Sequence, residues 1–134
     1  MKHFDTLAQA AFRKRLAAYI REKHCEKIVQ VHGDRLRVDT IPADRLEAMV
    51  GGGIGRAQSY GMSWQCALAS FVVVMFMATP NFDDDPGIRT FLEDEDIEPN
   101  YRIDTVCRRV TPEKWNEIRQ KYDATRWSLQ NPAL

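Results

Sequence analysis

One apolar run constrains the fold of this chain more than any other feature of its sequence. Residues 66–78 carry no charge, and residues 64–78 include the large side chains Leu68, Phe71 and Phe76. A helix that spans a bilayer needs roughly 20 apolar residues, so this run is too short to cross a membrane. We therefore predict a buried helix over residues 64–78 at the centre of the fold.

Residues on both sides of the run define the ends of this central helix. Gly61 fits the residue that follows the preceding helix, and Ser63 fits the N-cap of the central one. Thr79 and Pro80 end it, because proline cannot continue a helix. Since the run is apolar on nearly every side, we expect the other helices to bury it completely. The alternative is that one flank is left for a partner protein.

Apolar residues recur at helical spacing in five further segments, which cover residues 6–24, 40–57, 86–92, 100–110 and 111–122. Thr6 and Gln9 form a capping box at the start of the first segment. Thr40 and Thr111 are the predicted N-caps of the second and the last, and a proline follows each of them within the first turn.

In residues 27–41 the apolar side chains no longer recur at helical spacing but at every second position. Apolar residues alternate with polar ones on both sides of Gly33, at positions 29, 31, 36 and 38, which favours a β-hairpin near residues 28–39. Two strands alone are only marginally stable in water, so the alternative is that the first helix continues to Val31. The sequence leaves both interpretations open.

Together these patterns predict a mainly α fold in which five to six helices form a compact bundle around the helix at 64–78. The length of 134 residues and the apolar fraction of 44% are ordinary for one globular domain, so we assign residues 1–134 to a single domain. Residues from about 123 lack a sustained period. We expect this tail to be less ordered and held to the fold through Trp127.

Four glycines interrupt the second predicted helix, at positions 51, 52, 53 and 55. Each costs about 1 kcal/mol relative to alanine inside a helix, so either the helix is broken here or another helix packs very close against it. The glycines do not predict a nucleotide site. No Lys-Ser or Lys-Thr pair follows them as in a P-loop, and Arg56 takes the place of the last glycine of a GxGxxG motif.

Two residues are candidates for nucleophilic catalysis. Ser63 lies in a stretch similar to a serine-hydrolase elbow, but Gln65 replaces its last glycine, and helix capping explains the serine better. Cys66 lies near a predicted helix N-terminus, a position that activates some thiols. The histidines lie upstream of it, opposite to the order in papain-like enzymes: His3, His24 and His32. We therefore predict no catalytic residue and no enzyme activity.

The acidic residues 83–85 are candidates for calcium ligands. An EF-hand counted from Asn81, however, puts Pro86 at its glycine and Leu92 at its bidentate acid. The three acids are better explained by the start of the helix at Pro86, where acids and proline are favoured. Three cysteines without a CxxC pair predict reduced thiols and no zinc site: Cys25, Cys66 and Cys107. No metal and no cofactor is predicted.

The net charge is zero, but the charges are unevenly distributed. Residues 1–40 carry nine Lys and Arg against five Asp and Glu, whereas residues 81–98 carry eight acids and one Arg. A neutral chain lacks the broad positive field of nucleic-acid binders, and a dipolar layout suits docking onto a protein. Two solvated faces without a partner are the other interpretation. No signal peptide is evident, so we expect a cytoplasmic protein without membrane insertion.

The most distinctive order of residues runs from position 54 to 92. It comprises Ile-Gly-Arg-Ala at 54–57, Tyr60-Gly61, the capped apolar helix, Asn81-Phe82-Asp83, Asp85-Pro86 and Phe91-Leu92. This order resembles that of small helical proteins encoded beside spike and effector genes of the bacterial type VI secretion system. The chain departs from them at Pro80-Asn81, where those proteins often have Gly-Pro.

The resemblance implies a cytosolic, non-enzymatic accessory protein that works with the adaptor chaperones that load toxic effectors onto the secretion spike. Its partner would be an adaptor, an effector or a spike protein. The resemblance carries over no functional residue, so no partner-binding surface is predicted, and self-association stays open. The alternatives are an immunity protein against a toxin that acts in the cytosol and, third, a small enzyme.

Overall fold

The computed structural model describes residues 6–31 and 33–127. Within them the chain forms six α-helices and one hairpin, in the order α1 (Thr6–Lys23), β1 (Ile28–Val31), β2 (Asp34–Arg37), α2 (Ala43–Ser59), α3 (Gln65–Met77), α4 (Pro86–Leu92), α5 (Arg102–Arg109) and α6 (Pro112–Arg119). The predicted mainly helical fold is confirmed, and α3 differs from the predicted central helix by one residue at each end. The capping box predicted at Thr6 involves a side chain outside the described part.

Helix α3 forms the centre of the core. It packs against α2 on one side and α5 on another, and α1 packs against α2. Leu68, Phe71 and Val72 of α3 have no exposed surface, and burial of each such side chain stabilises the fold by roughly 1.5–3 kcal/mol. Among the helices of residues 6–31 and 33–127, none is both long and apolar enough to cross a membrane.

The hairpin decides between the two interpretations of residues 27–41. Helix α1 ends at Lys23, and β1 and β2 then pair in antiparallel register with Val29 opposite Leu36. Gly33 in the turn has a φ of 89°, a left-handed conformation that glycine adopts without strain. Val29 and Val31 are each 1% exposed, which accounts for the alternation in the sequence. A first helix that continues to Val31 is therefore wrong.

The segment after α6 supports this hairpin. A 3-10 turn at Ala124–Trp127 places the Trp127 ring in the core, with its centroid 4.7 Å from that of Phe76. The indole Nε1 donates a 2.9 Å hydrogen bond to the carbonyl oxygen of Gln30 in β1. The Gln30 amide in turn donates to the Tyr122 hydroxyl at 3.0 Å. These contacts cover a hairpin that two strands alone would leave marginal. Residues 128–134 lie outside the described residues.

The glycines of α2 lie inside a continuous helix. A Cβ built on Gly53 would lie 2.7 Å from Sδ of Met75 and 2.9 Å from Cγ2 of Val72, both on α3. A Cβ on Gly51 would lie 2.9 Å from Cδ of Arg13 on α1. Of the two interpretations of these glycines, close approach of another helix is therefore correct and a broken helix is wrong.

The residues that delimit α3 in the structure agree only in part with those predicted from the sequence. Gly61 has a φ of 94° and its amide donates to the carbonyl oxygen of Gln58 at 2.9 Å, as expected for the residue after a helix. The prediction that Ser63 is the N-cap is wrong. Oδ1 of Asn100 instead accepts from the amides of Ser63 and Trp64, at 2.7 and 2.8 Å. A side chain distant in the sequence thus holds the two residues that precede α3, and no side chain caps the first turn of the helix itself.

Two of the other predicted helix starts are correct and one is wrong. The carboxylate of Asp85 accepts from an amide in the first turn of α4, and the hydroxyl of Thr111 does the same for α6. The Thr40 hydroxyl instead donates to the carbonyl oxygen of Arg37 at 2.7 Å, and α2 begins after Pro42. The local hydrogen bond satisfies the hydroxyl within a 3-10 turn and so prevents it from capping the helix.

We expect alanine to act differently at two glycines of α2. Gly55 has open space around the Cβ position, so Gly55→Ala should raise the free energy of unfolding by up to about 1 kcal/mol. At Gly53 the added methyl must displace Val72 and Met75, and such overpacking costs about 1–3 kcal/mol. Urea unfolding should therefore show Gly53→Ala to be the less stable variant by at least 1 kcal/mol. Equal gains in both would contradict close contact between α2 and α3.

Candidate functional site

One flank of α3 is open to solvent. Cys66, Ser70 and Met77 are exposed and Val73 is partly exposed, and their spacing of three or four residues places them on one face of the helix. The expectation that the other helices bury α3 completely is therefore wrong. Helices α2 and α5 pack against α3 but leave these four residues partly or fully exposed.

An exposed aromatic pair lies at the N-terminal end of α3. Trp64 and Tyr101 are 46% and 54% exposed, and their rings meet edge to face with centroids 5.4 Å apart. Asn100 connects the two residues, because its Oδ1 accepts from the Trp64 amide at 2.8 Å and it directly precedes Tyr101 in the chain. Trp and Tyr combine a large apolar surface with a polar tip, which suits them to protein interfaces.

A shallow groove of about 200 Å³ lies at the C-terminal end of the flank. Helices α3, α5 and α6 line it with mostly apolar side chains: Val74, Met77, Ala78, Cys107, Trp115 and Arg119. Among the described residues, the large apolar side chains with high exposure number five, and three of them are Trp64, Met77 and Tyr101. Met77 is the last residue of α3, Trp64 directly precedes the helix, and Tyr101 ends the 3-10 turn before α5. These side chains and the apolar groove are candidates for a docking surface.

A polar pocket of about 520 Å³ forms a second candidate site. It opens between the end of α2, helix α4 and the segment after α6, and its charged and polar lining includes Arg56, Tyr60, Asp83, Arg89, Arg102 and Arg126. Four of these six side chains are guanidinium groups. The pocket therefore differs in chemistry from the apolar flank of α3.

The floor of this pocket is a buried ion pair. Asp83 is completely buried, and its Oδ1 lies 3.1 Å from Nη2 of Arg56. The Tyr60 hydroxyl donates a 2.9 Å hydrogen bond to Oδ2 of the same carboxylate. Arg56 also donates to the carbonyl oxygens of Pro80 and Arg126. The network is incomplete, because Nε of Arg56, Oδ1 of Asp83 and Nε of Arg126 are buried without a hydrogen-bond partner among the described atoms.

Burial changes the acid–base behaviour of the floor. Desolvation lowers the pKa of Arg56, and the nearby carboxylate of Asp83 opposes this change. Burial also raises the pKa of Tyr60 to about 12, and both the charge of Asp83 and its hydrogen bond act in the same direction. Tyr60 therefore stays protonated and donates to Asp83 throughout the physiological pH range.

Arg102 forms one wall of the pocket. Its Nε donates to the carbonyl oxygen of Ile97 at 3.0 Å, and its Nη1 donates to those of Tyr60 and Leu92 at 3.0 and 3.1 Å. One side chain thus connects the turn before α3, the end of α4 and the acidic loop. No local pattern in the sequence indicates this role, because all three partners are backbone atoms in other segments.

The pocket brings together three residues of the order that carries the family resemblance. Arg56, Tyr60 and Asp83 belong to its Arg-Ala, Tyr-Gly and Phe-Asp elements, and they are in direct contact. The assignment of Asp83 to the start of α4 is wrong, because its carboxylate faces Arg56, whereas Asp85 does cap the helix. The spacing of Arg56, Tyr60 and Asp83 along the chain gives no signal that they meet.

The candidate nucleophiles do not meet a catalytic base in the part of the chain that the structure describes. Cys66 is exposed and forms no hydrogen bond there, and the Ser63 hydroxyl contacts only an asparagine amide at 3.4 Å. The ring of His24 lies against a tyrosine of α1. His3 and His32 lie outside the described residues. This geometry offers no nucleophile–base pair.

The glycines at 51–55 do not form a nucleotide site, and the acids at 83–85 do not form a calcium site. Residues 51–55 lie within α2, where no phosphate loop exists. Asp84 is exposed and pairs with Arg89 at 3.3 Å, while its two acidic neighbours face other partners. Across residues 6–31 and 33–127, no group of three or more His, Cys, Asp or Glu is arranged to hold a metal ion.

Comparisons of the chain with known protein families, curated proteins and solved structures find no match. The two candidate sites therefore rest on their geometry. The apolar flank of α3 can bury the surface of another protein, and the arginine-lined pocket can bind a small charged group.

Removal of the Asp83 carboxylate should destabilise the protein far more than removal of an exposed acid. Asp83→Ala leaves the buried Arg56 without its partner, which costs about 3–5 kcal/mol. Asp104→Ala instead removes an exposed pair with Arg108, for which we expect a loss of about 0.3–0.5 kcal/mol. Urea titrations measure both free energies of unfolding. Similar losses in the two variants would contradict a buried pair at the pocket floor.

Stability should also fall at alkaline pH through Tyr60. Its pKa is raised from 10.0 to about 12, so the folded protein keeps a proton that the unfolded chain releases. The resulting stabilisation is complete below pH 10.0 and disappears as the pH rises through about 12. Thermal unfolding at constant ionic strength should show a shallower loss in this window for Tyr60→Phe than for the unmodified protein. Parallel curves would show that Tyr60 is not coupled to Asp83.

Proposed function

We propose that this chain is a non-enzymatic accessory protein of a type VI secretion pathway, which binds an adaptor chaperone or an effector in the cytoplasm and stabilises it for loading. The open flank of α3 carries the proposal. A chain that leaves one face of its most apolar helix exposed has a surface that a protein partner can cover. The resemblance to proteins encoded beside spike and effector genes supports the choice of pathway.

The exposed side chains of the flank have the character of interface anchors. Trp and Tyr are enriched among the residues whose truncation costs most binding energy, and Met adapts to irregular partner surfaces. Trp64 and Tyr101 lie at the N-terminal end of α3 and Met77 lies at its C-terminal end.

The charges next to the flank favour an oriented approach of the partner. Glu98 caps the 3-10 turn that ends at Tyr101, and the adjoining acidic residues Glu95 and Asp96 are exposed. On α1, Lys14 and Arg15 are exposed and form part of a basic surface. Complementary charges of this kind raise association rates and restrict the choice of partner more than they add affinity.

Co-purification with candidate adaptor, effector and spike proteins tests the proposal. Met77→Lys places a charge in the apolar groove and should weaken binding at least tenfold, a change of about 1.4 kcal/mol. Ile28→Lys is the matched control, because Ile28 in β1 is 45% exposed and Met77 is 43% exposed. The control variant should bind like the unmodified protein.

Two results would contradict the proposal. If the unmodified protein retains no adaptor, effector or spike protein under mild salt, the accessory role is wrong. If both lysine variants bind like the unmodified protein, the flank of α3 is not the surface used. Rescue of cells from a co-expressed toxin by this chain alone would support an immunity role instead.

A further inference from the structure

We propose that the pocket between α2 and α4 binds an oxyanion, a carboxylate or a phosphate group, through its arginine side chains. The site uses other residues than the flank of α3, so it does not depend on the proposed secretion role. Three observations carry the inference: the balance of charges inside the pocket, the N–H groups without an acceptor, and the size of the cavity.

The lining of the pocket holds four guanidinium groups and three carboxylates: Arg56, Arg89, Arg102, Arg126, Asp83, Glu93 and Glu95. Asp84 next to the pocket is shared between Arg89 at 3.3 Å and Arg126 at 3.0 Å, so one acid serves two cations. In the described part of the chain, Arg102 has no carboxylate within ion-pair distance and binds backbone carbonyls only. The charge of Arg102 therefore stays unpaired in a partly desolvated space, where its field is stronger than in water.

Several guanidinium nitrogens of the pocket lack a hydrogen-bond acceptor. The Nε atoms of Arg56 and Arg126 are buried, and neither has a hydrogen-bond partner among the described atoms. Arg102 uses Nε and Nη1 for carbonyl oxygens, and its Nη2 donates to none of the described residues. The planar fork of a guanidinium matches the two oxygens of a carboxylate or a phosphate. A neutral ligand would leave the charge of Arg102 unpaired.

The rim of the pocket limits which anions enter. Glu93 and Glu95 line the opening, are exposed, and form no ion pair within the described residues. Their negative charges oppose the entry of an anion, and the charge of Glu93 also acts on Arg89, whose pKa is raised by Tyr60 and by Glu93. The volume of about 520 Å³ lies within the range of small-molecule sites, so the pocket has room for more than a single ion. The fitting ligand is a small molecule or a peptide end that carries one oxyanion.

Inorganic phosphate and acetate are the probes for this site. Each is titrated into the full chain at constant ionic strength, and the arginine Nε–H signals are followed by nuclear magnetic resonance. We expect saturable shifts of the Arg56 and Arg102 signals with at least one probe. Tighter binding of phosphate would indicate a phosphate ester as the ligand, and tighter binding of acetate would indicate a carboxylate; both support the site.

Matched variants separate a site from general charge screening. Arg89→Gln should weaken binding of the effective probe about tenfold, since it removes one charged donor from the pocket. Arg108→Gln removes the same charge from an exposed position on α5, where its side chain pairs with Asp104, and should leave the affinity unchanged. Glu95→Gln should strengthen binding about two- to threefold, because it removes a negative charge from the rim. A partly unfolded variant would not bind more tightly.

The inference is overturned if neither probe produces a saturable shift. It is also overturned if Arg89→Gln and Arg108→Gln weaken binding equally, since net charge alone would then explain the effect. An unchanged affinity in Glu95→Gln together with an unchanged affinity in Arg89→Gln would place the binding outside this pocket.

Discussion

The ion pair between Arg56 and Asp83 is the constraint on which the arrangement of the helices depends. Arg56 lies in α2, and its guanidinium reaches the loop after α3 through Asp83 and Pro80 and the C-terminal segment through the carbonyl oxygen of Arg126. One side chain thereby connects three parts of the chain that are far apart in sequence. A buried ion pair gains little net stability because desolvation offsets the attraction. We therefore infer that the pair between Arg56 and Asp83 favours this packing of the helices over alternative packings.

The two candidate sites differ because α2 covers one side of α3 and then ends in a region rich in arginine. Close approach at Gly53 lets α2 cover one side of the apolar helix, but the short helices α5 and α6 meet its open flank only at the C-terminal end, in the groove beside Met77. That flank stays apolar and exposed. Where α2 ends, the same chain instead gathers arginines around a buried acid, and the surface becomes a polar pocket. One surface is suited to a protein and the other to a small anion.

The features predicted correctly from the sequence are those set by neighbouring residues. Gly61 after α2, Asp85 before α4 and Thr111 before α6 each act within one turn of the helix they delimit, so their residue types suffice. The features that were missed depend on distant partners. Asn100 holds the two residues before α3 from 36 and 37 positions away, and Asp83 pairs with Arg56 of α2. Spacing along the chain contains no signal for such contacts, so the pocket emerged only from the structure, whereas the all-round apolarity of residues 64–78 had left an open flank as an alternative.

The anchor at Trp127 has a consequence for the order in which the protein folds. The Trp127 indole donates a hydrogen bond to the carbonyl oxygen of Gln30 in β1, a residue 97 positions earlier in the chain. During synthesis the hairpin is therefore complete long before the ring that covers it exists. Contacts of such long range slow folding and leave the early strands exposed in the meantime. A nascent chain of this protein can form α1 and α2 as it emerges, but it closes its core only after translation has passed residue 127.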